Sequence, residues 1–272
     1  MSRSPHGADA FHQYYEELFS DRWSVLRPAL LSESVYATLS DCLTKPYYLD
    51  PASAVVALAL DVRPGHDVLD LCAAPGGKSL VLACGLNGNG RLVANERSAT
   101  RRGRLHRVLD GHLTDRARSA VIVTGHDASR WALHEPESYD RVLADVPCSS
   151  ERHVMQSARD LAQWSPSRTR RLAQAAYAIG CAAVDAARPG GLIAYSTCAL
   201  SPLENDGVVK RLLNRSRQRL RSVPPPSAEP SASEPALLRE VPFDWEPTEF
   251  GQTVLPDRNN GAGPMYFALL QK

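Results

Sequence analysis

Two cysteines stand where an open α/β sheet presents its reacting groups. Cys148 closes the segment Asp145-Val146-Pro147-Cys148 and Cys198 closes Tyr195-Ser196-Thr197-Cys198, each just past an apolar run that reads as a strand. A thiol attacks as the thiolate, which at an ordinary pKa of about 8.5 is only a few per cent of the population at neutral pH. A lone cysteine in an apolar strand is usually inert packing. Two cysteines past two strand ends, one of them after Asp-x-Pro, point instead to chemistry on a ligand held at that rim. The holder is the stretch Asp67 to Ser79, in which the apolar run Val68 to Cys72 meets Ala73, Ala74, Pro75, Gly76 and Gly77, and a helical pattern then begins at Lys78. Strand, tight turn and helix in this order open most nucleotide-type pockets, because glycines let backbone approach a ligand and the new helix offers free N–H groups.

Gly77-Lys78-Ser79 also ends the phosphate-loop pattern G-x-x-x-x-G-K-[ST], but the first glycine of that pattern falls at Cys72 and Pro75 removes an N–H from the cradle. Two acids describe a different ligand. Glu96 follows the next strand, placed to accept both hydroxyls of a ribose; an acid at a helix start is its structural alternative. Asp127, in Gly125-His126-Asp127, suits an amino group such as adenine N6. These acids repel a triphosphate and fit a neutral or cationic nucleoside, which favours S-adenosylmethionine over ATP.

Composition bounds what surrounds this site. The 272 residues are enough for one large α/β domain with a small appendage, and 31 Lys plus Arg against 30 Asp plus Glu leave a net charge of +1. An anionic partner must therefore be met by a local patch. The 6 cysteines form no C-x-x-C pair and no zinc spacing, so six reduced thiols and no metal are expected. No apolar run approaches the roughly 18 residues of a membrane span. Asp9, Glu16 and Glu17 argue against a leader, so the expected address is cytoplasmic, with a mitochondrial one as the alternative.

The elements that position these residues follow in order. Phe11, Tyr14, Tyr15, Leu18 and Phe19, then Trp23 to Leu39, predict two or three amphipathic helices, a helical N-terminal extension over residues 1–46 whose aromatics are core. Pro46 to Pro51 reads as a turn. Strands at Val68–Cys72, Arg91–Asn95, Ala120–Thr124, Arg141–Val146 and Leu192–Ser196 alternate with helices, so residues 47–272 read as one doubly wound, Rossmann-like sheet. Pro202 to Leu220 reads as helical, residues 222–236 with 5 prolines as a mobile insertion, and Val254-Leu255 with Met265–Leu270 as final paired strands.

On these residues the chain resembles the Sun-domain (Nop/Sun) RNA cytosine-5 methyltransferases, whose signatures are a D-L-C-A-A-P-G-G-K turn, a D-x-P-C-S segment and an S-T-C segment, all present in the family order. Val146 to His153 and Gly263 to Phe267 are most similar to the short mitochondrial-type branch. The resemblance implies that Cys198 is the nucleophile, which adds to cytosine carbon 6 because carbon 5 alone is too poor a nucleophile to take a methyl from a sulfonium. It implies that Cys148 assists release, that Asp145 holds the cytosine edge with Pro147 shaping the pocket, and that Cys72 to Lys78, Glu96, Arg101, Asp127 and Asp145 form the S-adenosylmethionine site. The substrate implied is RNA, either rRNA or tRNA.

Two departures accompany it. Glu96 is a methylene longer than the family's usual Asp, and the 46 residues before Tyr47 leave no room for the RNA-binding module that most relatives carry there. Substrate capture is then expected from the catalytic face or from a protein partner. Arg97, Arg101 and Arg104, and the run Lys210, Arg211, Arg215, Arg217, Arg219 and Arg221, are the candidates for phosphate contacts. The rival readings are a non-catalytic RNA-binding ribosome-assembly factor, which needs neither thiol, and a P-loop-like nucleotide hydrolase. A DNA cytosine-5 methyltransferase would need a recognition domain for which the chain has no space.

Overall fold

The computed structural model describes residues 6–40, 42–216, 219–224 and 244–272. In chain order its elements are α1 (Ala8–Phe19), α2 (Trp23–Leu31), β1 (Ala37–Leu39), β2 (Tyr47–Leu49), α3 (Pro51–Leu58), β3 (Asp67–Asp70), α4 (Gly77–Leu86), β4 (Arg91–Asn95), α5 (Ala99–His112), α6 (Asp115–Ser119) and β5 (Val121–Thr124). There follow β6 (Tyr139–Asp145), α7 (Glu151–Gln156), α8 (Ala158–Ala162), α9 (Pro166–Ala186), β7 (Ala187–Thr197), α10 (Asp206–Ser216), β8 (Arg221–Val223), β9 (Glu246–Pro247), β10 (Gln252–Val254) and β11 (Met265–Gln271).

The main sheet runs β5-β4-β3-β6-β7-β11-β10-β9, with β8 also on β11. The five strands from β5 to β7 are parallel, and β11 lies antiparallel to β7. The central strands are apolar without alternation: Val68, Leu69, Leu92, Val93, Val142 and Leu143 are buried. That is the signature of a parallel sheet covered on both faces. From β3 the chain winds outward through β4 to β5, and from β6 the other way to β7. The order reverses between β3 and β6, so the crevice at their carboxyl ends is the topological switch point where open α/β sheets bind ligands.

Local chemistry fixes the helices that border this crevice. Asp50 caps α3 by accepting from the N–H groups of Ala52 (2.8 Å) and Ser53 (3.3 Å), with Pro51 preset for the first turn. Ser98 caps α5 in the same way through Arg101 N. Against the segments that follow β6 and β7, α1 and α2 form a core of their own, in which Phe11, Tyr15, Trp23, Leu26 and Leu30 pack on Val154, Trp164, Leu200 and Leu255.

The structure departs from the sequence reading in four places. The helical pattern ends at Leu31, and Ala37–Leu39 pairs antiparallel with Tyr47–Leu49, a segment expected as a turn. Strands of three residues are too short for their alternation to register. Cys42 and Cys84 are joined in a disulfide with Cα atoms 5.6 Å apart, which corrects the expectation of six reduced thiols. The β1–β2 loop folds back onto α4 and makes a neighbour that spacing in the chain cannot reveal. The helix expected from Pro202 to Leu220 runs only from Asp206 to Ser216. Ser222 and Val223 belong to β8, paired with Leu270 and Leu269, while residues 225–236 of the expected insertion lie outside the described residues.

Candidate active site

The turn after β3 is shaped by packing as much as by ligand approach. Gly76 has φ +124°, and a Cβ there would stand 2.9 Å from Val108 Cγ1 of α5; a Cβ on Gly77 would stand 3.1 Å from Tyr47 Cε1. The two glycines thus let α4 start hard against α5 and β2, a reason that adds to the ligand argument made from their sequence. They leave a cavity of about 200 Å³ lined by Tyr47, Leu49, Asp50, Ser53, Asp70, Cys72, Ala73, Ala74, Pro75, Gly77, Lys78 and Asp145.

Lys78 spans the crevice. Its Nζ donates to Asp145 Oδ2 at the end of β6 (2.9 Å) and to Ser53 Oγ of α3 (3.0 Å). Burial opposes its charge, but Asp145 outweighs burial and raises its pKa. The other oxygen of Asp145, Oδ1, accepts from Ser196 Oγ (2.8 Å). Beneath them Asp70 is fully buried, and burial lifts its pKa to about 7 although Ser79 Oγ donates to it at 2.7 Å. Burial, and then the charge of Asp70, push the Cys72 thiol up and disfavour its thiolate; Cys72 lines the cavity wall.

On the β4 side Glu96 is buried, and its Oε1 accepts from Ser98 N at 2.8 Å. Its Oε2 is buried without a hydrogen bond, although Arg101 Nε stands 3.4 Å away. Arg101 also donates through Nη2 to Ala74 O (2.9 Å) and so links Glu96 to the turn. Asp127 lies farther out, where its Oδ1 accepts from Ser129 N and Oγ and its Oδ2 pairs with Arg97 Nη1 at 3.1 Å. The Ser129 hydroxyl chiefly holds its pKa below the usual carboxylate range.

The thiols of Cys148 and Cys198 are 3.1 Å apart, at the ends of adjacent parallel strands β6 and β7. Ser150 Oγ is 3.1 Å from Cys198 Sγ and 3.5 Å from Cys148 Sγ. The contact with Cys148 and then Ser150 favour the thiolate on Cys198, while the same contact and burial keep the proton on Cys148.

Cys72 to Pro75, Gly77, Lys78 and Asp145 therefore meet around one cavity; Glu96 and Arg101 join at its Ala74 edge, and Asp127 stays on the rim. Residues that the sequence reading did not single out complete it: Ser53, Asp70, Ser150 and Ser196, each within or beside a quoted motif except Ser53, which reaches Lys78 from 25 residues away. Of the two basic runs, α10 is largely engaged, with Lys210 on Glu249, Arg215 on Asp185 and the Arg211 guanidinium 3.8 Å above the Tyr177 ring. Arg217 lies outside the described residues. A wider groove of about 960 Å³ along α1 and α2, bordered by Trp23 and Arg27, contains none of the groups above.

The model of a family described as 16S rRNA methyltransferase RsmB/F matches residues 57–271. The 5-cytosine rRNA methyltransferase NSUN4 of Xenopus tropicalis is 37% identical over 238 residues, which cover 84% of this chain and 56% of that protein. A mitochondrial tRNA (cytosine(34)-C(5))-methyltransferase of Danio rerio is 34% identical over 236 residues, 85% of this chain and 61% of that protein. The chain thus spans little more than half the length of these relatives. Among solved structures, the crystal structure of PH0851 superposes with a TM-score of 0.80 at 20% identity, over 98% of this chain and 66% of that one, a likeness of fold.

Proposed function

The chain belongs to the RsmB/F family of 16S rRNA methyltransferases, and we propose that it is an S-adenosylmethionine-dependent RNA cytosine-5 methyltransferase whose nucleophile is Cys198. The observation that carries this reading is the thiol pair: two cysteines 3.1 Å apart beside a glycine turn at the sheet's switch point, with the proton favoured on one and thiolate character on the other. A non-catalytic assembly factor has no use for such a pair.

The residues fit the cofactor. Glu96 Oε2 is a buried acceptor with no hydrogen bond, as a ribose hydroxyl requires, and Asp145 lines the crevice that a sulfonium would enter. Ala73 to Lys78 would hold its methionine part, Glu96 the ribose, Arg101 the Glu96 edge and Asp127 the adenine. When bound there, S-adenosylmethionine supplies an electrophilic methyl group.

The chain's own residues do the rest. Cys198 Sγ, as thiolate, bonds to carbon 6 of the cytosine and makes carbon 5 an enamine carbon able to take the methyl. Asp145 receives the base edge near N3 and the exocyclic amine while Lys78 and Ser196 hold its two oxygens still. Solvent water takes the proton from carbon 5, the electrons of that bond restore the double bond between carbons 5 and 6, and the bond from Cys198 to carbon 6 breaks to give back the thiolate, a release that Cys148 assists. Holding thiolate, base and methyl in line accounts for roughly 7–11 kcal/mol of the barrier. The target base must be unstacked to reach Cys198.

The substrate follows from the relatives' names and stays with this proposal: rRNA first, tRNA second, with a protein partner as a source of recognition beyond the catalytic face. The mitochondrial address takes precedence over the cytoplasmic one, because a relative of 34% identity bears it in its name. The deciding experiment is bisulfite sequencing of total RNA from cells that have the protein, lack it, or carry Cys198→Ala. A cytosine whose methylation vanishes in the last two supports the reading; identical maps in all three overturn it.

A further inference from the structure

Behind the thiols lies a buried network that the mechanism above does not use. Ser149, Glu151 and Glu204 are 0% exposed, and so is Tyr15 of α1. Ser149 Oγ is in hydrogen-bond contact with both Glu151 Oε1 and Glu204 Oε1. The Tyr15 hydroxyl donates to Glu151 Oε1, Leu200 N donates to Glu151 Oε2 at 2.9 Å, and Ser149 N donates to Glu204 Oε2 at 2.9 Å.

Counting protons shows what this arrangement requires. A serine hydroxyl has one proton, and a carboxylate only accepts. Ser149 Oγ placed between two carboxyl oxygens can donate to one, and must receive a proton from the other. One of the two carboxyls is therefore the neutral acid. Glu151 already accepts donors on both oxygens, whereas Glu204 Oε1 has Ser149 Oγ as its contact, so the proton belongs on Glu204. Its chain runs from Glu204 Oε1 to Ser149 Oγ and from Ser149 Oγ to Glu151 Oε1.

The same groups fasten both thiol-bearing segments. Ser149 follows Cys148 directly, and Leu200 comes two residues after Cys198, so Glu204 holds one segment, Glu151 the other, and Ser149 joins the two. We propose that the proton-sharing chain Glu204–Ser149–Glu151, closed by Tyr15, is the positioning device that sets Cys148 and Cys198 against each other. This rests on the reading of those thiols as the reacting groups. It also gives the N-terminal helix α1 a part in the site, although α1 contributes no residue to the crevice.

The titratable and charged groups packed around Glu204 are Glu151 of α7, Arg168 of α9, Tyr15 of α1, Cys148 and Tyr195 of β7. Arg168 Nη1 donates to Ser149 O at 3.0 Å, and the Tyr195 hydroxyl donates to the Glu204 backbone carbonyl at 2.5 Å. Burial, and then the charge of Glu151, lift the Glu204 pKa from 4.5 to about 7. A carboxyl raised in this way stabilises the fold below pH 4.5, and the contribution is lost as pH rises through about 7.

The test compares two isosteric variants of the full chain. Glu204→Gln keeps a donor toward Ser149 Oγ and an acceptor for Ser149 N. It should melt at least as high as the parent at pH 8 and retain methyl transfer there with KM for RNA unchanged; the parent's kcat should fall as pH rises through about 7, where Glu204 loses its proton, and the variant's should not. Glu151→Gln places an amide where three donors already point, and should lower the melting temperature at pH 6 and pH 8 alike. Equal behaviour of the two variants, or a harmless Glu151→Gln beside a damaging Glu204→Gln, overturns the assignment. If Glu151→Gln does not fold, the pH 8 melting of Glu204→Gln decides alone, and a drop below the parent overturns the proposal. A parent protein that melts as described but transfers no methyl to RNA would instead count against the proposed function.

Discussion

The two walls of the crevice are built on different principles. On the β3–β4 side the ligand would meet backbone and solvent-linked ion pairs, with Arg101 and Arg97 largely exposed over Glu96 and Asp127. On the β6–β7 side Cys148, Cys198 and Ser150 rest on the Ser149, Glu151 and Glu204 network, which is wholly buried. The difference matches the tasks proposed for them. A cofactor must enter and leave, so its wall is open and held by interactions that water can replace. A bond-forming thiol must be aligned to a fraction of an ångström, so its wall is dry and every donor has its place. The Lys78–Asp145 pair is the bridge between the two walls.

The strongest way to break this comparison is to remove a thiol. Cys198→Ala should reduce methyl transfer below detection and leave no adduct, whereas Cys148→Ala should still attack and accumulate a protein–RNA adduct that survives denaturing electrophoresis. Adduct from Cys198→Ala and none from Cys148→Ala would exchange the two roles.

Next comes the bridge. Lys78→Met leaves Asp145 without its cation, and breaking such a part-buried pair from one side should cost about 2 kcal/mol, read as a lower midpoint in denaturant. It should also weaken S-adenosylmethionine binding in calorimetry, since both walls lose alignment. Stability and affinity both unchanged would mean that the walls are independent.

Asp70 sharpens the picture beneath the turn. Its pKa is raised from 3.8 to about 7, so its contribution to stability is present below pH 3.8 and is lost as pH rises through about 7. Asp70→Asn should then be more stable than the parent at pH 8 by about 4 kcal/mol, and the advantage should vanish near pH 4. Unfolding curves at the two pH values check this; an advantage independent of pH would discard the linkage.

The smallest effect is expected at the open rim. Arg104→Ala should weaken binding of all RNA sequences about equally and lower the log–log salt slope by about 0.7 to 0.9, while the choice of cytosine is unchanged. Salt titrations by fluorescence anisotropy measure it. A change in the methylated position would show that this rim reads sequence.

Much was legible in the sequence because it is written contiguously. The alternation of apolar strands and helices specified a doubly wound sheet, the run from Asp67 to Ser79 its strand, turn and helix, and the cysteines after Asp-x-Pro and Ser-Thr a pair of strand ends. Each of these is a local pattern of hydrophobicity, glycine or proline, and local sterics decide it. Tertiary structure alone decided which distant groups meet. Ser53 reaches Lys78, Cys42 bonds Cys84, and Tyr15 of the first helix donates to Glu151, 136 residues later. No periodicity encodes such contacts, because they arise where separately folded elements close over one another. Protonation belongs to the same class: that Asp70 and Glu204 hold protons near neutrality follows from the water they lose on burial, and residue type alone carries no record of that loss.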